Sequence, residues 1–248
     1  ADGEFLVYIQ PKYWVGTRAL AGGEALVRWK SPDQGFLSPG EFIPLFEKNR
    51  FIVKLDQFMF TSVCGLLRQW LDAGIEPRPL SVNVSRMQFH TPDFVERYIR
   101  IKSQYAIPDG LLELEFTESI FFDNVALLSS AVHELRRAGI KCSIDDFGAG
   151  YSSLNVLKAL PVSVLKLDGM FFRTAKDDEQ AKIVIRNIMR MAGELKMATV
   201  AEGVETHEQV AFLETTGCDI IQGYVFARPM PAAEFTELLA GEGGHAER

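Results

Sequence analysis

Short apolar runs rich in β-branched residues alternate along this chain with longer stretches of helical period. Runs of the first kind fall at 5–10, 23–29, 79–85, 111–116, 140–145, 162–167, 197–202 and 218–222, and each reads as a strand. Helical patterns fill Pro39 to Asn49, Leu55 to Ala73, Pro92 to Tyr105, Asn124 to Ala138, Asp177 to Leu195, His207 to Glu214 and Ala232 to Leu239. Strands and helices alternating at these lengths predict a parallel sheet with helical crossovers. Eight strands predict closure into a β/α barrel. Only Pro11 to Leu20 separates the first two strands, too little for a helical crossover, so they are expected to pair as an antiparallel hairpin. In the helix at 55–73, a stripe of Leu55, Phe58, Met59, Ser62, Leu66, Leu67 and Trp70 is expected to face the core. A single domain is expected over 1–240, with a disordered Gly-rich tail at 241–248.

Residues two apart on a strand point the same way, and this sorts the polar residues. In Leu111 to Phe116 the leucines and Phe116 take one face, leaving Glu113 and Glu115 on the other. Ser81, Asn83 and Ser85 oppose the aliphatic face of their strand, and Asp145 opposes Ile144. Glu24 and Arg28 share a face away from Ala25, Val27 and Trp29; Lys166 and Asp168 share one away from Leu165 and Leu167. Glu202 ends the run Ala198 to Ala201. The apolar faces should pack on the helices, so the acidic faces point into the barrel, late in their strands. That is where β/α barrels assemble active sites.

Carboxylates converging on one barrel mouth repel each other unless cations intervene, at about a kilocalorie or more per pair some 4 Å apart. All-oxygen donors favour Mg²⁺ or Mn²⁺ over Zn²⁺. His90, His133, His207 and His245 are scattered and expected at the surface. Asp145 and Asp146 are neighbours, so both reach one site only if the strand ends there, which Phe147-Gly-Ala-Gly150 permits. One of the two could then bridge a pair of cations. Ser152 and Ser153 are placed to cap the helix that follows.

The net charge of −7 argues against duplex nucleic acid as a partner, but not against a phosphate substrate held through cations. Cys64, Cys142 and Cys218 lack metal-type spacing, which points to a reduced, cytoplasmic setting. No apolar run approaches the length of a membrane segment. The first strand begins almost at Ala1, so the chain is expected to be a domain of a longer protein.

Glu24-Ala25-Leu26 followed by Val27-Arg28-Trp29 resembles the signature of the EAL domain, the bacterial cyclic di-GMP phosphodiesterase. The companion motifs follow in the family's order: Gln10-Pro11, Pro39 to Glu47, Ser81 to Ser85, Glu115 to Ser119 and Asp145 to Leu154. Lys166 to Asp168, Ala201 to Thr206 and Gln222 to Tyr224 complete them, so the resemblance covers about residues 5 to 238. Ala149 departs from the family's usual Thr, and no ligand position is lost.

The resemblance implies an α/β fold, a modified TIM-like (β/α)8 barrel with one antiparallel strand. It also implies hydrolysis of cyclic di-GMP to linear pGpG with two Mg²⁺ or Mn²⁺ ions. Glu24, Asn83, Glu115 and Asp145 resemble the ligands of one ion; Asp145, Asp146 and Glu202 resemble those of the other. Lys166 resembles the lysine at the nucleophilic water, with a plain salt bridge as the alternative. Glu202 is ligand or general base. Gln10, Leu26, Arg28, Asp168, Glu205 and Gln222 resemble substrate-pocket residues, although Arg28 could instead pair with Glu24. Glu118 resembles the glutamate anchoring the loop from Asp146 to Ser153, with helix capping as the alternative. A homodimer, regulated by sensory or GGDEF domains in a larger protein, is implied as well. A non-catalytic cyclic di-GMP receptor and a barrel enzyme stabilising an enolate with Mg²⁺ are the other readings.

Overall fold

The computed structural model describes residues 3–117, 120, 125–148, 157, 161–174 and 178–243. Its strands are β1 (Phe5–Trp14), β2 (Leu20–Ser31), β3 (Gly35–Leu37), β4 (Leu80–Val84) and β5 (Leu112–Thr117). They continue with β6 (Lys141–Phe147), β7 (Val164–Leu167), β8 (Ala198–Ala201), β9 (Ile220–Gln222) and β10 (Met230–Pro231). The pairing runs β1-β9-β8-β7-β6-β5-β4-β2, and β1–β2 pairing closes the ring into an eight-stranded barrel. The neighbours from β2 through β4 to β9 are parallel, whereas β1 is antiparallel to both β2 and β9. The short connection after β1 therefore does form the hairpin that its length requires. β3 and β10 are short antiparallel additions to β2 and β1 that the sequence pattern did not predict.

The helices are α1 (Pro39–Lys48), α2 (Ile52–Asp72), α3 (Phe94–Gln104), α4 (Val125–Arg137), α5 (Met170–Thr174), α6 (Glu179–Glu194), α7 (His207–Glu214) and α8 (Ala232–Gly243). The last runs to Gly243, three residues into the stretch expected to be a tail. Outward-facing Leu80, Val82, Leu112, Leu114, Phe116, Cys142, Ile144, Leu165 and Leu167 are buried, and α2, α4 and α6 pack on β4, β6 and β8. Burial of these side chains stabilises the shell by about 2 kcal/mol for each large one.

The buried stripe of α2 is rotated from the expected one. It comprises Ile52, Leu55, Met59, Val63, Leu67 and Trp70 together with Phe60 and Cys64, while Ser62 and Leu66 are half-buried. The helix faces α3 as well as the barrel wall, and Phe60 packs on Tyr98 with ring centroids 4.5 Å apart. A lone amphipathic pattern cannot show that second neighbour.

Asp56 lies on this buried face. Its Oδ2 accepts from the Ser85 backbone N–H (3.0 Å) and from Gln88 Nε2 (3.2 Å), tying α2 to the end of β4. Burial outweighs both hydrogen bonds and pushes its carboxyl from 3.8 up to about 7. The folded chain thus holds this proton more tightly than the unfolded chain, so the contribution is most favourable at low pH and is lost as pH rises through 7. The ionisation cost amounts to roughly 4 kcal/mol above pH 8 and less than half of that at pH 5. Asp56→Asn keeps the acceptor oxygen without the charge. It is expected to raise Tm at pH 8 and to raise it much less at pH 5; equal gains at both pH values in calorimetry would contradict this account.

Candidate active site at the carboxyl ends of the strands

Lys166 of β7 is fully buried at the centre of the polar residues. Its Nζ lies 2.6 Å from Glu115 Oε2, 2.9 Å from Asp145 Oδ1, 2.7 Å from Glu202 Oε1 and 3.7 Å from Glu24 Oε2. Glu24 accepts hydrogen bonds from Asn83 Nδ2 (2.7 Å) and Gln222 Nε2 (2.6 Å). The Gln222 amide also reaches Gln10 Oε1 at 3.1 Å. Sheet register explains the convergence: Gln10 pairs with Glu24, Asn83 with Glu115, and Thr117 with Asp145. Gln10, Glu24, Asn83, Glu115, Asp145, Lys166, Glu202 and Gln222 form one connected network.

Asp146 joins the cluster by a different route from the expected one. The strand does not end at Asp145; it runs on to Phe147, with a register irregularity between Ile144 and Phe147. Asp146 has φ +54°, in the left-handed region, and its N–H donates to Asp145 Oδ1 at 3.0 Å. A bulge turns the second carboxylate back toward the first, at about 1–2 kcal/mol for a non-glycine residue. Asp145, Asp146 and Glu202 each bring an oxygen within 4.8 Å of the others.

The charges are unevenly settled. Burial opposes ionisation of Glu115, but Lys12 and Lys166 outweigh it and hold the carboxyl at about 2. Burial would also lower Lys166, but Asp145, Glu115 and Glu202 raise it well above the usual lysine range. Glu24 is raised by burial and by the charge of Glu115. Glu202 is raised well above the usual carboxylate range, because burial outweighs the attraction of Lys166. Asp146 is pushed up to about 6 by burial and by the adjacent Asp145. Lys166 and Lys12 do not balance this many carboxylates, and the affinity of Glu24, Asp146 and Glu202 for protons is raised accordingly. The donors are carboxylates plus the Asn83 amide, which suits hard divalent cations. Gln222 Oε1 is buried without a hydrogen-bond partner among the described residues, leaving one more acceptor beside the cluster.

A cavity of about 340 Å³ opens above the cluster, lined by Gln10, Glu24, Leu26, Asp168, Glu202, Glu205 and Gln222. Arg173 of α5 and Tyr224 also line it; neither was expected from sequence. The capping box of α7, in which Gln209 Oε1 accepts from the Glu205 and Thr206 N–H groups, fixes the backbone at Glu205. Gly223 is required here, because a Cβ on it would lie 2.0 Å from the Val204 carbonyl oxygen. A second cavity of about 380 Å³ shares Leu26 with the first, is lined by Asn83 as well, and runs toward Glu47 of α1 and Asp56 of α2.

Not every predicted residue joins the network. Arg28 lies outside the lining of the smaller cavity. Its Nη1 donates to the Val27 carbonyl at 2.9 Å and its guanidinium lies over the Tyr8 ring, so the considered pairing with Glu24 is not formed. Asp168 Oδ1 accepts from the Met170 N–H at 2.7 Å, at the start of α5. Glu118 and the loop 149–156, with Ser152 and Ser153, lie outside the described residues. His90, His133 and His207 are exposed.

Sequence reasoning missed Lys12, whose Nζ lies 2.9 Å from Glu115 Oε1 and 2.8 Å from Ser81 Oγ. It stands two residues after Gln10 on β1, so the same-face rule applied to the first strand would have found it.

Comparison with known proteins accords with this geometry. The family model described as "EAL domain" matches residues 1–229. The cyclic di-GMP phosphodiesterase PA2567 of Pseudomonas aeruginosa is 38% identical over 238 residues, 96% of this chain and 40% of that protein. The bifunctional diguanylate cyclase/cyclic di-GMP phosphodiesterase MucR of the same organism is 35% identical over 96% of this chain and 35% of its own length. The chain thus spans well under half of these curated relatives. The solved structure of the PaMucR phosphodiesterase in complex with c-di-GMP aligns with a TM-score of 0.87 at 36% identity, covering 94% of each chain. With a matching family model over most of its length and an eight-stranded barrel of the same shape, this chain belongs to the EAL domain family.

Proposed function

We propose that this domain hydrolyses one phosphodiester bond of cyclic di-GMP, giving linear pGpG, with two divalent cations, Mg²⁺ or Mn²⁺. The observation that carries the reading is the convergence of Glu24, Glu115, Asp145 and Glu202 on buried Lys166 beneath an open cavity. Relatives named as cyclic di-GMP phosphodiesterases, and a related structure holding c-di-GMP, support the choice of substrate.

Charge supports it too. Glu24, Glu115, Asp145, Asp146 and Glu202 oppose Lys12 and Lys166, five negative groups against two positive ones. Buried Glu113 adds to that surplus of negative groups, which divalent cations would offset. Glu24, Asn83, Glu115 and Asp145 would hold one cation, and Asp145, Asp146 and Glu202 the other. When bound, the cations supply Lewis-acid activation of a water and neutralise charge on the leaving oxygen. Lys166 carries a fixed positive charge to the attack site, and Glu202, 2.7 Å from it, is the carboxylate placed to accept a proton when no cation claims it. Gln10, Leu26, Asp168, Glu205 and Gln222 would surround the substrate, and Arg28, held over the Tyr8 ring outside that lining, would serve as a phosphate partner. Glu118 would anchor the loop that links this site to a dimer partner.

The domain is proposed to act as a homodimer in the cytoplasm, within a longer protein that carries sensory or GGDEF domains. The length of the relatives and the three buried free thiols accord with this. Among the described residues, no helix is long and apolar enough to cross a membrane.

The test is to incubate the purified domain with cyclic di-GMP and Mg²⁺ or Mn²⁺ and to follow pGpG by chromatography. Product that disappears with a chelator is the expected result. Tight binding of the dinucleotide without turnover would make the domain a receptor, and neither binding nor turnover would remove the substrate assignment.

A further inference from the structure

We infer that Lys12 is a positioning residue that restricts Glu115 to one-oxygen coordination, and so biases the cluster toward Mg²⁺ or Mn²⁺ over Ca²⁺. The inference rests on the cation reading above. Glu115 is 1% exposed and its two oxygens are divided between two lysines. Oε2 faces Lys166 at 2.6 Å, on the side shared with Asp145 and Glu202. Oε1 faces Lys12 at 2.9 Å.

Lys12 has little freedom to release that oxygen. It is 6% exposed, and its β1 backbone is held in register between Gly22 of β2 and Gln222 of β9. Its Nζ also bonds Ser81 Oγ at 2.8 Å, and that hydroxyl reaches the Gly23 carbonyl at 3.4 Å. Lys166 serves four carboxylates and can yield Oε2 to a cation, whereas Lys12 keeps Oε1. A cation entering the cluster therefore meets one oxygen of Glu115. Mg²⁺ prefers six single oxygen contacts in a tight octahedron, whereas Ca²⁺ accommodates six to eight, often through bidentate carboxylates. The charge of Lys12 opposes every divalent ion alike, so a change in the ratio of their affinities on its removal reports the denticity of Glu115.

Binding of Mg²⁺, Mn²⁺ and Ca²⁺ to the intact chain is measured by titration calorimetry, with and without Lys12→Met. The ratio of Ca²⁺ to Mg²⁺ affinity is expected to rise about tenfold in the variant, at the low end of the effects seen when a ligand's hydrogen-bond partner is removed. A merely structural role would weaken both ions in parallel, and an unchanged ratio overturns the inference. If Lys12→Met does not fold, the same ratio is read in Lys12→Met combined with Glu113→Gln. That second change removes the buried carboxylate that acts on Lys12 most strongly after Glu115. Failure of the native chain to bind any of the three ions would remove the cation reading itself, a result distinct from an unchanged ratio.

Discussion

Lys166→Met is expected to destabilise the metal-free domain by about 3–5 kcal/mol, because it leaves buried carboxylates without their cation. Glu115 and Asp145 each lose an ion pair under 3 Å, and Glu202 loses its 2.7 Å contact. Lys12 still holds Glu115, whereas protonation is the relief left to Asp145 and Glu202. Added Mg²⁺ or Mn²⁺ should restore much of the loss, since a cation at a hundred times its dissociation constant contributes about 2.7 kcal/mol. Stabilisation by Mg²⁺ should therefore be larger in the variant than in the native chain. Turnover should still fall, by about 10²–10³-fold, for want of a fixed positive charge at the reacting centre. Differential scanning calorimetry with and without Mg²⁺ reads the first effect and the pGpG assay the second. A Tm loss that no divalent ion relieves would leave Lys166 as a structural salt bridge alone.

Asp145→Asn is expected to give the opposite pattern. The substitution is close to isosteric at a buried position and leaves Lys166 paired with Glu115 and Glu202. The Asp145 charge raises the carboxyls of Asp146, Glu24 and Glu202. Removing it relieves that repulsion, so Tm should hold or rise in the absence of metal. Turnover should fall by at least about a thousandfold, because the group proposed to serve both cations is lost. Stabilisation by Mg²⁺ should shrink with it. If Asp145→Asn retained most of the native rate, the two-cation scheme would be wrong even with the substrate right. Together the two variants separate charge balance from catalysis: one lowers stability and is relieved by cation, while the other keeps stability and loses the response to cation.

Much of this site was legible because a strand has a period of two. Alternation assigns Glu24, Asn83, Glu115, Asp145 and Lys166 to inward faces, Glu202 follows the end of its run, and the structure brings all six into one network. The barrel follows from the alternation of strands and helices, and the hairpin from a connection too short for a helix. Each of these rests on local geometry, which the order of residues carries directly.

Other features were not local. The bulge at Asp146 needs a left-handed residue inside a strand, and an Asp-Asp pair looks the same whether the strand ends or bulges there. The roll of α2 depends on α3 as well as the barrel wall. Arg28 shares a face with Glu24, yet four residues along β2 carry it beyond the cluster to the Tyr8 ring. Lys12 depends most on closure. Its height against Glu115 is set through β1–β2, β2–β4 and β4–β5 pairing together, with β1 running the opposite way. The sequence by itself determined that most of these polar residues face inward and that their side chains offer mainly oxygen donors. Only the tertiary structure decided which lysine takes which oxygen of Glu115, because a side chain's face is a property of its own strand while its depth is a property of the closed ring.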